Sequence, residues 1–244
     1  MLDATNLIKA SLEAGFDLLR PPHEGAEDGV SSRRTPPLLV PIRSLGANHR
    51  ERIAQHLLSL EPHDRYLRFG YAAQDQQIHR YAEGLDFERD EIFGIYNRKL
   101  DLIAMAHLAF AKEEQLRSCA EFGVSVLPSA RGKGYGARLF ERAAMHAANE
   151  GVSMMFIHAL SENTAMLKIA RNAGAKVERD GSETEAYLQL PASTLDSKVT
   201  EIIEEQVAQA DYRLKAQAKQ FWGFLGQVQA VRRGAIDAQS RLPH

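Results

Sequence analysis

One cysteine, Cys119, stands in a chain of 244 residues. A lone cysteine excludes an internal disulfide framework and suits a reducing compartment. No stretch approaches the ~20 consecutive apolar residues of a membrane span. The N-terminus, Met1-Leu2-Asp3-Ala4-Thr5-Asn6, lacks the basic-then-apolar order of a secretory signal. The expected setting is therefore cytoplasmic, away from membranes. A net charge of −2 leaves no basic excess to neutralise phosphates, so a nucleic-acid partner is not expected. The nine histidines show neither H-E-x-x-H nor Cys/His spacing, so no metal is expected either. What is present, 44% hydrophobic and 25% charged residues, is the composition of a globular protein. The length suits one domain with extensions.

Apolar spacing predicts an amphipathic helix over Leu2 to Arg20, stopped by Pro21-Pro22, and a linker over 21–37. Leu38 to Arg43 reads as a short strand and Ala47 to Leu60 as a helix. Short helices are expected over 66–69 and 74–83. A hairpin of 91–96 and 102–111 turns through Asn97-Arg98-Lys99. A strand over 119–126, a helix over 134–149, a strand over 152–158 and a helix over 161–172 follow, the last stopped by Gly174. A hairpin over 175–190, with a strand at 187–190, closes the region. The fold class is thus mixed α/β (α+β), built around a strand–loop–helix–strand crossover. Three segments are expected: 1–36, 37–192 and 193–244.

Residues 195–235 read as one long helix. Val207, Leu214, Phe221 and Val228 recur every seven residues, with Ile203, Ala210, Phe224 and Val231 in the offset row. Such a repeat fits a coiled-coil seam, hence a homodimer, and equally a helix packed on its own domain.

The most informative stretch is Val126-Leu127-Pro128-Ser129-Ala130-Arg131-Gly132-Lys133-Gly134-Tyr135-Gly136, which runs from an apolar strand into a helix beginning at Ala137. Glycines let a backbone approach a ligand, and N–H groups at a helix start point at an anion, so the layout builds a pyrophosphate cradle. A P-loop is absent, because Gly134 follows Lys133 where Ser or Thr is required. Gly132-x-Gly134-x-x-Ala137 nearly matches a dinucleotide fingerprint, but no acidic residue ends the next strand to hold a ribose; His158 and Ala159 stand there.

These residues resemble the GNAT superfamily of acetyl-CoA-dependent N-acetyltransferases. The likeness is carried by Phe122-Gly123-Val124-Ser125-Val126-x-Pro128 with Arg131 to Gly136, and by a second block running from Asn163 to Ala175. Ala175 stands where family members usually carry Phe. The resemblance covers about 37–192, and Asp64-Arg65-Tyr66-Leu67-Arg68-Phe69 looks like the early helical region of some protein acetyltransferases.

The resemblance implies acetyl-CoA as co-substrate and an amine, a protein lysine or a small molecule, as acceptor. Arg131, Gly132, Lys133, Gly134, Tyr135, Gly136 and Ala137 would hold the pyrophosphate. The strand Val124, Ser125, Val126 would pair with the pantetheine arm, and an amide of Val124 or Ser125 would polarise the thioester carbonyl. Asn163 would contact the cofactor, although a helix cap is the alternative role. Glu121 is the expected catalytic base, which the acceptor needs because an ammonium ion is not a nucleophile. Alternation puts Glu121 on one strand face with Gly123 and Ser125. The tyrosine many members carry seven residues after the asparagine is Ala170 here, which keeps open a non-catalytic CoA-binding sensor or scaffold. His107 and His158 are expected as hydrogen-bonded core histidines and Cys119 as a buried, inert thiol. The acceptor groove is expected from 45–90 and the 175–190 hairpin.

Overall fold

The computed structural model describes the backbone of residues 40–180 and 183–239. The helix expected over 2–20 and the linker over 21–37 lie outside these residues, as does the start of the strand expected at 38–43. Of that strand, β1 (Arg43–Ser44) is the paired part; Ile42 before it is buried without joining the sheet.

Seven strands form one sheet in the order β1-β2-β3-β4-β5-β7-β6. They are β1, β2 (Glu91–Tyr96), β3 (Leu102–Phe110), β4 (Cys119–Val126), β5 (Met154–Leu160), β6 (Lys176–Asp180) and β7 (Glu183–Gln189). Every neighbouring pair is antiparallel except β4 and β5. That parallel pair is joined by the crossover helix α4 (Tyr135–Asn149), as a parallel connection requires. The helices before it are α1 (Arg50–Leu58), α2 (Pro62–Phe69) and α3 (Asp75–Glu83); α5 (Thr164–Asn172) and α6 (Leu195–Gln239) follow. The mixed α/β order and its strand–loop–helix–strand crossover agree with the sequence reading. Its strand at 152–158 is shifted to 154–160, and its helix at 161–172 begins at Thr164, after the capping Asn163.

The sheet separates two cores, and period-two alternation gives the apolar side chains of β4 to one of them. Phe122 points to the α4 side, where its ring meets Phe140 edge-on at 5.0 Å. That core also holds Leu139, Ala143, Met155, Ile157 and Leu167. The other face belongs to α1–α3, where Ile53, Leu57, Ile78, Ile92 and Met105 pack together. Burying apolar area on both faces stabilises the sheet by roughly 25 cal/mol per Å².

The long helix α6 uses its polar side to dock. Glu201 meets buried Arg142 of α4 at 2.8 Å, and accepts from His146 at 2.5 Å and Asn149 at 2.6 Å. Further along, Ser44 N–H donates to Glu205, Arg43 donates to Gln209 and stacks 3.8 Å from the Tyr212 ring centroid, and Lys215 reaches Tyr96 O. Residues 201, 205, 208, 212 and 215 form one helical stripe, with Ala208 fully buried. Of the seven-residue repeat read from the sequence, Ile203, Val207, Ala210 and Leu214 are exposed and off this stripe, while the side chains of Phe221, Phe224, Val228 and Val231 lie outside those described. The docked face is held by charges and hydrogen bonds, not by the heptad.

Candidate active site

The strands β4 and β5 pair from Cys119↔Met154 to Glu121↔Phe156, and there the ladder ends. Each strand continues with its other neighbour: β4 pairs with β3 to Val126↔Ala104, and β5 with β7 to Leu160↔Glu183. The two strands therefore splay, and a wedge opens between them. A cavity of about 330 Å³ fills it, lined by β4 from Glu121 to Val124, β5 from Ile157 to Leu160, the end of α2, Asn163, Met166 and Glu185.

Ladder parity says which backbone groups face the wedge. Leu127 N–H donates to Ile103 O and Ala111 N–H to Cys119 O. Antiparallel alternation then turns the N–H and C=O groups of Glu121, Gly123 and Ser125 toward β3, and those of Val124 and Val126 toward the open side. Val126 C=O accepts from Arg131 Nε at 3.4 Å. The edge presented by Val124 and Val126 is an unpaired strand edge, ready to pair with an extended amide-bearing chain. Ser125 differs from its neighbours. Its side chain is buried on the α1 side, where it meets His56 Nε2 at 2.8 Å, and its amide belongs to the β3 ladder. Of the two amides considered from the sequence, only that of Val124 faces the wedge.

At the end of β4 the chain turns through Pro128–Ala130 into the glycine loop. Gly132 and Gly134 have φ of +76° and +75°, the left-handed region that costs other residues roughly 1–2 kcal/mol. Gly134 is the N-cap of α4, and the first loop-anchored helical N–H is that of Arg138, bonded to Gly134 O at 3.1 Å. Among the described residues, the N–H groups from Gly132 through Ala137 have no protein acceptor. Orphan donors at the positive end of a fifteen-residue helix make an anion site. Lys133 is exposed beside them. Arg131 is committed in part, since its guanidinium pairs with Asp64 of α2. The Tyr135 ring packs against the core, and Gly136 sits where α4 crosses Ile169 of α5.

Asn163 caps a helix and lines the cavity: its Oδ1 accepts from Met166 N–H at 3.1 Å at the start of α5. Glu121 is exposed at the cavity edge, and its carboxylate has no hydrogen bond or ion pair among the described residues. Ala170 is fully buried, so position 170 supplies no hydroxyl to the wedge. His158 corrects the expectation of a core histidine: its side chain is 54% exposed, 3.6 Å from Glu185. Cys119 is half-buried rather than buried.

A hydrogen-bonded chain on the α2–α3 side has no counterpart among the sequence expectations. Arg68 of α2 donates to the Tyr81 hydroxyl at 2.9 Å, and Tyr81 meets His107 Nδ1 at 2.7 Å. His107 Nε2 stands 3.1 Å from Asp90, which also accepts two bonds from Arg89. A carboxylate only accepts, so His107 donates through Nε2 and accepts the Tyr81 proton at Nδ1. Burial pushes the His107 imidazole below its ordinary value, against the Asp90 bond. Burial pushes the Tyr81 phenol up. Burial would also raise Asp90, but the hydrogen bonds from Arg89 and His107 outweigh it and leave the carboxyl low. His107 is thus the hydrogen-bonded histidine the sequence suggested, and its partners were not foreseen. The signal that pointed here is Gly123, a glycine inside a strand, which marks close approach of another group.

Residues 54–175 match the Acetyltransferase (GNAT) family. No curated protein matches the chain. Among solved structures, the GNAT domain of S. lividans PAT is 19% identical, with a TM-score of 0.53 over 61% of this chain and 89% of its own. A GNAT superfamily phosphinothricin acetyltransferase from Sinorhizobium meliloti, in complex with AcCoA, is 12% identical, with a TM-score of 0.51 over 64% and 91%. An acetyltransferase of the GNAT family from Streptococcus pneumoniae is 12% identical, with a TM-score of 0.50 over 62% and 98%. At these identities the likeness is one of fold.

Proposed function

Because this chain belongs to the GNAT acetyltransferase family, we propose that it transfers an acetyl group from acetyl-CoA to an amine by direct attack. The observation that carries the reading is the junction of an unpaired β4 edge with a ring of orphan amides at the start of α4. In this reading the pyrophosphate takes the N–H groups from Gly132 through Ala137, assisted by Lys133. The pantetheine arm lies along Val124 and Val126, and Asn163 closes on it from α5. Val124 N–H is aimed at the thioester oxygen, where charge develops. Arg131 acts mainly by fixing the loop to α2.

Glu121 takes a proton from the acceptor ammonium, directly or through a water. The freed amine nitrogen bonds to the acetyl carbonyl carbon, the C–S bond breaks, CoA departs as thiolate, and the nitrogen's second proton passes to solvent or to that thiolate. Thiols ionise near pH ~8.5, so departure does not require a hydroxyl at position 170. The free, half-buried cysteine suits a reducing setting, and the cytoplasm is the compartment we assign. The exposed apolar row of α6 supports self-association; sedimentation of the full chain against one ending at Pro191 tests that homodimer.

The test is acetyl transfer to a panel of amines by wild type and Glu121→Gln, with acetyl-CoA affinity measured in both. Loss of ~10²–10⁴ in kcat/KM with affinity retained supports the base role; an unchanged rate removes it. Buried Ala170 favours a second reading, a CoA-binding sensor. Acetyl-CoA affinity without amine-dependent release of CoA would support that reading over the first.

A further inference from the structure

Among the described residues, Arg68 is the arginine that lines the wedge. Its guanidinium lies over Gly123, and the Phe69 and Tyr81 ring centroids are 5.2 and 5.5 Å from its Cζ. Its one hydrogen bond goes to a phenol, and among the described residues it has no carboxylate partner. Most of its five donors are unused, and they open into the wedge where a ligand can complete them. The chain through Tyr81, His107 and Asp90 fixes where the fork sits, so the site is preorganised.

The CoA phosphates do not account for it. Their cradle begins beyond Val126, roughly 10 Å along the strand from Gly123 at ~3.3 Å per residue. Glu121 shares the face of Gly123 and, two residues away, lies about 7 Å from it. The other acidic group in the wedge, Glu185, is matched by His158 at 3.6 Å. One cation and one anion at that spacing therefore stand without ion partners on the same strand face. We infer that the acceptor is a small amino carboxylate, whose amine is received at Glu121 and whose carboxylate is gripped by Arg68. The fork geometry of a guanidinium suits a carboxylate held by two parallel bonds. This inference rests on the acetyltransferase reading and names its substrate class.

The experiment compares the common amino acids as free acids and as α-amides, alongside a polyamine and a lysine-containing peptide. Acetyl transfer and binding to the CoA-loaded protein are both measured. The inference expects at least one free acid to exceed its amide by ~10–100-fold in kcat/KM, mainly through KM. Arg68→Gln should bring that ratio near one and Arg68→Lys should restore part of it, with acetyl-CoA affinity unchanged in both. Where Arg68→Gln does not fold, Gly123→Ala moves the guanidinium instead and should lower the same ratio. Amides used as well as acids, a ratio that survives both variants, or binding and transfer confined to amines without a carboxylate would overturn it. Arg68-dependent binding of a free acid without transfer would uphold the recognition and refute the acetyltransferase reading.

Discussion

The guanidinium carbon of Arg68 lies 2.7 Å from the point where a Cβ on residue 123 would stand, and its two terminal nitrogens lie 2.8 and 2.9 Å away. Arg68 and Gly123 therefore occupy one space between them. Since the crowded atoms are the tip of a flexible side chain, Gly123→Ala should cost only ~1 kcal/mol in stability while detaching Arg68 from Tyr81. Gly94 is the control. Its added Cβ would meet Leu102 and Leu45 at 2.7 and 2.8 Å inside the core, so Gly94→Ala should cost ~1–3 kcal/mol. Denaturant midpoints with transfer rates check both. Strong destabilisation by Gly123→Ala would contradict the shared-space account.

Gly134 tests the cradle. Nothing lies within 4 Å of an added Cβ there, yet its φ is +75°. Gly134→Ala should therefore act through conformation, lowering stability by ~1–2 kcal/mol and acetyl-CoA affinity by about tenfold as the amides lose alignment. Calorimetry on the variant reads the affinity. Lys133→Ala, at an exposed position, should weaken binding less, with a loss that shrinks as salt rises.

His56 sets an acid limit on stability. It is 2% exposed and bonded to Leu102 O and Ser125 at 2.8 Å each, and burial lowers its pKa to about 4. The unfolded chain protonates near 6.5, so the folded state binds fewer protons between these values. Its contribution is complete above pH 6.5 and is lost as pH falls toward 4, amounting to ~3 kcal/mol. His56→Gln should flatten the stability–pH curve over that window. A parallel fall in variant and wild type would contradict the assignment.

Glu201 couples α6 to the domain. Burial would raise its carboxyl, but the bonds from His146 and Asn149 and the nearby Arg142 bring it to about 2. Its stabilisation is present above pH 4.5 and lost as pH falls toward 2. The His146 imidazole is raised by Glu201 against the effect of burial, so its contribution is complete below pH 6.5 and fades as pH rises through the raised value. Glu201→Gln leaves Arg142 with Glu204 and Glu205 at 3.8 and 3.7 Å. The expected loss is ~1–3 kcal/mol, read by thermal unfolding.

What the sequence made legible follows from local rules. The glycine loop, the strand ahead of it and the helix after it are written in φ-permissive residues and apolar period, and they stand where expected. Glu121, Gly123 and Ser125 share a strand face as alternation requires. What alternation does not say is where the backbone of each points: the family resemblance groups Ser125 with Val124 and Val126, and only the pairing with β3 separates them. Likewise the Arg68–Tyr81–His107–Asp90 chain joins three elements and a loop far apart in sequence, a product of packing. The heptad in α6 was legible as a pattern, but the face that docks is the polar one, because Arg142 and Arg43 wait for it on the domain surface.

In the proposed complex, acetyl-CoA occupies the splayed edge of β4 and the start of α4. Backbone amide hydrogen exchange, followed residue by residue with and without acetyl-CoA, tests it most directly. Binding there brings new protection at Val124, at Val126 and at the loop amides from Gly132 through Ala137, which have no protein acceptor among the described residues, and no gain at Ser125, already in the β3 ladder. Saturating acetyl-CoA that leaves those amides unprotected, or protects a different surface, would contradict it.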